Sequence, residues 1–451
     1  MATPAPRARL RDHLRVAWLL VRSAGGGLLY VLYIPLAAFI APVHRAIFRR
    51  RLATMQVSEP APVTWPELPD DAPYRVFVAV GEASGDRLAA TAIRALRARY
   101  PHVEVRGFGG PACAEAGMQV DRDLLAHAVV GWIAVVKSLG FWWGVCVEAL
   151  ARWREARPDL VLTVDFPGLN VRLAEWARRD GMRTVHLVAP QVWAHGPWRV
   201  FRWRRAVHRM LALMPFDDAL LGAGTMKTTY VGHPLFEAPL DPARTPADPP
   251  VAPPRIELWP GSRAREIARN APVLLEAAAA LEARLPRGPT FLVRLADAAD
   301  QARFERASLD ASARPTTLAF HVGARHPDPH LLGALCTSGT ATAQLAVGQV
   351  PLVSFYVVGP ITWVGSKLLS APFICLANLV AGRGLVPEFL LVRRTAAPQT
   401  LASALLPQVA TETARRESRE ALAIVRERMA REDVASRIAA CVGEELRAAR
   451  P

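Results

Sequence analysis

Cysteine is scarce in this chain and never paired. The five residues, Cys113, Cys146, Cys336, Cys375 and Cys441, are widely spread and form no CxxC pair. Such spacing argues against a disulfide framework or a zinc site and fits a reducing compartment. HExxH, Walker A and GxSxG strings are absent as well, which removes the usual signatures of zinc proteases, P-loop enzymes and serine hydrolases. Asp121-Arg122-Asp123 matches a DxD metal motif only as a string, because it does not close an apolar strand. No repeat of solenoid length is present. Acidic residues are also in deficit: 40 Asp and Glu stand against 55 Lys and Arg, a net charge of +15.

What is present fits a sizeable enzyme. The 451 residues, 51% hydrophobic and 21% charged, suffice for two or three domains with real cores. A balance this basic implies an anionic partner, and much of the charge lies beside apolar and aromatic residues, which suits a membrane surface better than nucleic acid. Residues 23–43 carry no charge and contain the apolar run 28–41, with Arg7, Arg9, Arg11, Arg15 and Arg22 before it and Arg45, Arg49, Arg50 and Arg51 after it. About 20 uncharged residues can cross a bilayer. Gly25–Gly27 and Pro35 weaken that helix, arginines on both sides give little orientation signal, and no clean signal-peptide cleavage site follows. The segment therefore reads as spanning, as interfacial, or as a buried accessory hairpin.

Two proline-rich stretches, 58–73 and 237–254, punctuate the chain. They divide it into a basic, hydrophobic membrane-associating segment (1–57), a linker (58–74), a first domain (75–236), an interdomain linker (237–254) and a second domain with closing helices (255–451). Within both domains strand and helix patterns alternate. Strands are expected at 75–80, 103–108, 160–164 and 183–188, then at 255–259, 291–295, 335–337 and 352–356, with helices between. The fold class is α/β: two Rossmann-like, doubly wound domains facing a cleft, plus the N-terminal segment, with ligands beyond the carboxyl ends of the strands.

Four loops sit at such strand ends. Gly81-Glu82-Ala83-Ser84-Gly85-Asp86 reads either as a ligand-facing turn over a helix N-terminus or as a tight turn capped by Ser84 or Asp86. Trp259-Pro260-Gly261-Ser262-Arg263 offers an arginine able to fork onto a diphosphate, unless it is a surface residue paired with Glu266. Thr337-Ser338-Gly339-Thr340-Ala341-Thr342 is a small, hydroxyl-rich cradle for phosphate. Asp165, opening Asp165-Phe166-Pro167-Gly168-Leu169-Asn170, is either a general base or the cap of the next helix. Aromatics form two groups. Trp132, Phe141, Trp142, Trp143 and Trp153 crowd an apolar stretch; Trp198, Phe201 and Trp203 interleave with Arg199, Arg202, Arg204, Arg205 and Arg209. Ordinary core and a solvated helix face are the plain readings, and an acyl-chain or membrane surface is the one favoured.

From Arg75 onward these stretches resemble the lipid-A-disaccharide synthase family, in the family's order: GEASGD, GFGGP (Gly107 to Pro111), the Asp165 to Asn170 segment, TVHLVAPQVWA from Thr184, MPFD from Met214, VGHPL from Val231, WPGSR, SGTAT and PFICLANLVAGRGLVPE from Pro372. The resemblance implies a GT-B-type, inverting hexosyltransferase that needs neither metal nor cofactor. Its substrates would be a UDP-activated 2,3-diacylglucosamine and a 2,3-diacylglucosamine 1-phosphate, joined β-1,6 with release of UDP in lipid A biosynthesis. Asp165 would then deprotonate the acceptor hydroxyl. Ser262, Arg263, Ser338, Gly339, Thr340, Thr342, Gln344, Asn378 and Arg383 would hold the nucleotide; Gly81, Glu82, Ser84, Asp86 and Asn170 would line the acceptor side. Further partners implied are an anionic membrane surface at the cytoplasmic face of the inner membrane and a second copy of the chain as a homodimer, with no nucleic acid. The chain departs from the family pattern at Ala134, Gln191, His195, Gly196 and Gln344. Those departures keep open a related glycosyltransferase or epimerase of altered specificity, and a non-catalytic paralogue that binds lipid or sugar nucleotide.

Overall fold

Short runs of β-branched and apolar residues, each followed by an amphipathic helix, build two α/β units. The computed structural model describes residues 9–57, 63–69, 73–125, 139–194, 196–221, 226–237, 254–285, 288–323, 331–392 and 397–450, without the side chains of 19–38 and 361. The first unit draws on 1–39, 58–234 and 433–451, the second on 40–57 and 235–432.

In the first unit seven parallel strands form one sheet in the order β3-β2-β1-β4-β5-β6-β7. They are β1 (Arg75–Val80), β2 (Glu104–Phe108), β3 (Gln119–Arg122), β4 (Leu160–Val164), β5 (Arg183–Leu187), β6 (Arg209–Ala212) and β7 (Lys227–Tyr230). β1 shows why the sheet is covered on both faces. Val76, Val78 and Val80 enter a core with the helix Ala83–Arg99, while Phe77 and Ala79 enter another with the helices Leu139–Glu155 and Pro167–Arg179. Near-continuous apolar strands are what a parallel sheet buried on both faces requires.

The second unit repeats the plan with six parallel strands in the order β10-β9-β8-β11-β12-β13. Its strands are β8 (Arg255–Trp259), β9 (Thr290–Leu295), β10 (Leu318–Val322), β11 (Gly333–Thr337), β12 (Leu352–Val357) and β13 (Glu388–Leu391). In each sheet the strand order reverses once, between β1 and β4 and between β8 and β11. Those two reversals are where a doubly wound sheet opens a crevice for ligand.

Both chain ends differ from the expected division. The N-terminal helix α1 (Leu10–Ala53) does not stand apart from the folded units. Near its start, Asp12 pairs with Arg154 at 2.5 Å, Arg15 with Asp180 at 2.9 Å, and Val16 joins the core of the first unit. Near its end, Phe48 and Leu52 are buried, and Arg45 donates to the carbonyls of Lys367 and Leu369, all within the second unit. The last helix, Val434–Arg447, belongs to the first unit rather than to the second. Ile438, Ala439 and Val442 fill the core under β1, and Glu444 and Glu445 pair with Arg209 and Arg183. Among the described residues no helix is long and apolar enough to cross a membrane.

Candidate active site

At the first reversal, Val80 of β1 lies beside Val164 of β4, so the loops that follow them are neighbours. Gly81 is packed so closely on Phe166 that a Cβ would lie 2.6 Å from its ring, and a Cβ on Gly85 would lie 3.7 Å from that of Asp165. The backbone here is strained. Asp165 and Phe166 have φ of 49° and 45°, and Val188, just past β5, has φ of 78°. A left-handed β-branched or bulky residue is an outlier that its surroundings must enforce, and such strain collects at functional sites. Burial raises the Asp165 carboxyl above its ordinary range, opposed by a hydrogen bond from the backbone N–H of Phe166. That direction brings a carboxylate closer to the basicity that proton abstraction needs.

Other side chains of this region are committed to structure. Asn170 is buried and its amide donates to the carbonyls of Ala79, Val164 and Asp165, tying together the ends of β1 and β4. Asp86 is buried too. It accepts from the N–H groups of Gly110, Ala112 and Cys113, which caps the helix Pro111–Glu115 and anchors the GFGGP loop. Both therefore shape the turn rather than present themselves to a ligand. Glu82 is half-buried at the N-cap of the helix Ala83–Arg99, and Ser84 is exposed in its first turn.

At the second reversal Cys336 of β11 lies beside Trp259 of β8, which brings the WPGSR and SGTAT loops together. Asn270 clamps them: its amide donates to the carbonyl of Pro260 at 2.9 Å and to the Thr337 hydroxyl at 3.0 Å. Gly339 (φ 159°) precedes the helix Thr340–Val347; it and Thr340 are exposed, and Ser338 and Gln344 are half-buried. The Thr342 hydroxyl turns back to the Gly339 carbonyl, and that of Ser338 to Ile374. Ser262 is exposed, and Arg263 is 77% exposed with its guanidinium 2.8 Å from Glu266. Glu266 also accepts from the Tyr356 hydroxyl at 2.7 Å and from the N–H groups of Ser262 and Arg263. The plain reading of Arg263 as a surface residue paired with Glu266 thus describes its resting position. Asn378 is wholly buried and spends its amide on Leu385, Val386 and Glu388, whereas Arg383 is exposed.

The aromatic groups are corrected in large part. Trp153 is buried edge-on to Phe77, and Phe141, Trp142 and Trp143 pack partly against the same core. Trp203 is buried against His186, whose ring is held neutral by burial with its pKa pushed down to about 3. Arg202 is bidentate on Glu175 and Arg209 is buried against Glu444, so neither is an open phosphate contact. Trp198 and Phe201 remain exposed, with Arg199 half-buried beside them. Trp132, Ala134 and His195 lie outside the described residues. Asp121, the first acid of the DxD string, is buried against Arg106 and Arg152. Tyr356, which tethers Glu266, escaped the sequence reading; its one signal was its place at the end of an apolar strand.

Two doubly wound parallel units, each with its loops gathered at one reversal, define the GT-B class of glycosyltransferase. The solved glycotransferase of kitacinnamycin has this fold at a TM-score of 0.51 and 16% identity, over 84% of this chain and 100% of that one. The S. aureus MnaA–UDP co-structure has it at 0.51 and 9%, over 81% and 94%. Sequence narrows the class. The family model described as lipid-A-disaccharide synthetase matches residues 76–442. The lipid-A-disaccharide synthase of Azotobacter vinelandii is 38% identical over 347 residues, 74% of this chain and 89% of that one. The enzyme of Salmonella paratyphi B is 33% identical, over 75% and 89%. The chain belongs to the lipid-A-disaccharide synthase family and is a hexosyltransferase of lipid A biosynthesis.

Proposed function

We propose that the chain transfers 2,3-diacylglucosamine from its UDP-activated form to the 6-hydroxyl of 2,3-diacylglucosamine 1-phosphate, with inversion, at an anionic membrane surface. Asp165 takes the proton of the attacking hydroxyl. The observation that carries this role is the strained, half-buried carboxylate at the β1–β4 reversal, whose basicity is raised by its surroundings. Arg263 and the N–H groups and hydroxyls of the Ser338–Thr342 loop meet the diphosphate, where a fixed cation stabilises the charge that builds on UDP as the glycosidic bond breaks. Glu266 holds Arg263 in reserve, and binding exchanges one anionic partner for another. Gln344 and Arg383 complete the nucleotide side. Asn378 acts there by fixing the loop that carries Arg383, as Asn170 and Asp86 fix the turn beside Asp165. Trp198 and Arg199 contribute to the lipid-facing surface, and two copies of the chain associate as a homodimer.

The test is UDP release by the purified chain given both acylated substrates, then the same assay with Asp165→Asn. Release from the donor with retained dependence on the acceptor supports the transfer. Wild-type turnover in the Asn variant at saturating substrate removes Asp165 from the chemistry. No release with either enzyme makes the chain a binding paralogue.

A further inference from the structure

Exposed apolar residues recur at regular spacing along α1. Near its start Leu10, Leu14 and Trp18 are exposed, and near its end so are Phe39, Val43 and Ile47, between 42% and 79% each. Each triplet is spaced i, i+4, i+8, which confines it to about 80° of helix surface. Asp12 and Val16 beside the first triplet, and Phe48 and Leu52 beside the second, are buried and lie on the opposite side of the helix. Core formation therefore does not explain the apolar character of the triplets. Arg50 and Arg51 are exposed one turn beyond Ile47. The only acid of the helix, Asp12, is buried against Arg154, while seven arginines share its length. Exposed apolar triplets with one sign of charge beside them fit a membrane interface better than a second copy of this equally basic chain.

From this pattern we infer that the exposed apolar triplets of α1 lie in the interface of an anionic bilayer, Leu10, Leu14 and Trp18 and likewise Phe39, Val43 and Ile47 among the acyl chains, with Arg50 and Arg51 on lipid phosphates. The inference rests on the membrane reading above and says which surface serves it. Because α1 precedes residues 76–442, the triplets are an addition to the part of the chain that the family shares.

Flotation of the full chain with vesicles of phosphatidylcholine, alone or with phosphatidylglycerol, tests it. The wild type should float with the anionic vesicles, release in high salt and be extracted by alkaline carbonate. The triple variant Leu14→Glu, Val43→Glu, Ile47→Glu should lose flotation at least ten-fold, and Arg50→Ala with Arg51→Ala should weaken the preference for phosphatidylglycerol. Both should keep UDP release on detergent-dispersed substrate and the wild-type melting temperature, since the altered residues are exposed. Equal flotation of the triple variant overturns the role of the triplets and leaves the membrane reading standing. Resistance to carbonate means a spanning segment and overturns the interfacial mode. A wild type that floats with neither vesicle removes both readings, and loss of a solution dimer in the triple variant would then make the triplets a self-interface.

Discussion

Gly382 offers a sharp test of whether the end of α1 belongs to the second unit. It closes the helix Leu376–Ala381 with φ of 72°, and a Cβ there would lie 3.0 Å from the Leu52 carbonyl carbon and closer still to its oxygen. Gly382→Ala therefore carries two costs. The left-handed conformation costs an alanine about 1–2 kcal/mol. The clash is with backbone, which no rotamer relieves, and overpacking of that kind costs about 1–3 kcal/mol more. Together they lower the melting temperature by something on the order of ten degrees. Only the second cost depends on α1. Removing residues 1–57 should thus leave Gly382→Ala with about 1–2 kcal/mol, and the difference is the coupling energy of the cycle. Truncation is itself destabilising, because Phe48, Leu52 and Met55 are buried and each contributes about 1.5–3 kcal/mol. This reverses the expectation, natural from the proline-rich stretch after it, that the first domain boundary is a clean place to cut. Gly365→Ala is the control, since a Cβ there meets nothing within 4 Å. Urea unfolding of the four proteins gives the numbers. An equal cost in both backgrounds would place the strain in the loop alone and refute the docking of α1, and a full-length Gly382→Ala as stable as the wild type would refute both costs.

Four further outcomes are expected. Asp165→Asn should lower turnover by about two to four orders of magnitude with nucleotide affinity retained, and the wild-type kcat/KM should rise with pH through a carboxyl pKa above the ordinary range. Burial pushes the Asp217 carboxyl up to about 8 from 3.8, so its contribution to stability is complete below pH 3.8 and is lost as pH rises through about 8. Melting temperatures of Asp217→Asn should accordingly fall less than those of the wild type between pH 6 and pH 9; parallel curves would mean that the group does not titrate as placed. Trp153→Ala should cost about 3–5 kcal/mol of stability in urea titrations, the signature of a core residue rather than of a lipid contact. Glu266→Gln should free Arg263 and lower the KM for the UDP-sugar while leaving kcat close to wild type; a raised KM would make Glu266 a positioning group for Arg263.

The parts of the fold legible in the sequence were those where local and long-range demands coincide. β1 and β4 are central, buried on both faces and nearly free of polar residues, β8 keeps the same apolar frame around one buried acid, Glu257, and each of the three ends in a loop whose glycine or small residues mark the turn. β3 (QVDR) and β7 (KTTY) were not legible, because edge strands with one neighbour carry charge and hydroxyls and read as loop. β6 is short, and its core position is set by neighbours far away in sequence. The two tryptophan groups misled for a related reason: aromatic density alone does not say which side of a helix meets the core. Trp203 and Trp198 sit five residues apart and have opposite fates, one against His186 and one exposed. The crossing of Val434–Arg447 to the first unit could not be read from order along the chain, since its partners, Arg183 and Arg209, are more than 200 residues away.

The final prediction concerns Arg263, where sequence and structure bear on different states of one side chain. Its exposure and its ion pair give it, at rest, the small stabilising value of a surface bridge. The Glu266 carboxylate is nonetheless held below its ordinary pKa, chiefly through hydrogen bonds from Tyr356 and Arg263 acting against its partial burial. Tyr356 and the N–H groups of Ser262 and Arg263 go on holding that carboxylate when the guanidinium leaves. A diphosphate carries more negative charge than one carboxylate and accepts a guanidinium through two oxygens, so it can draw Arg263 away without leaving Glu266 unpaired. Arg263→Ala should then cost little stability yet lower kcat/KM by about 3 kcal/mol, with much of the loss in kcat. Lysine should restore only part of it. Arg265, exposed on the following helix, and Arg269, which donates to the carbonyl of Val357, should tolerate alanine far better. Equal, mild losses at all three positions would reduce Arg263 to one contributor among many to a diffuse positive field, and the clamp on the leaving group would have to be sought elsewhere in the second unit, with exposed Arg383 the next candidate.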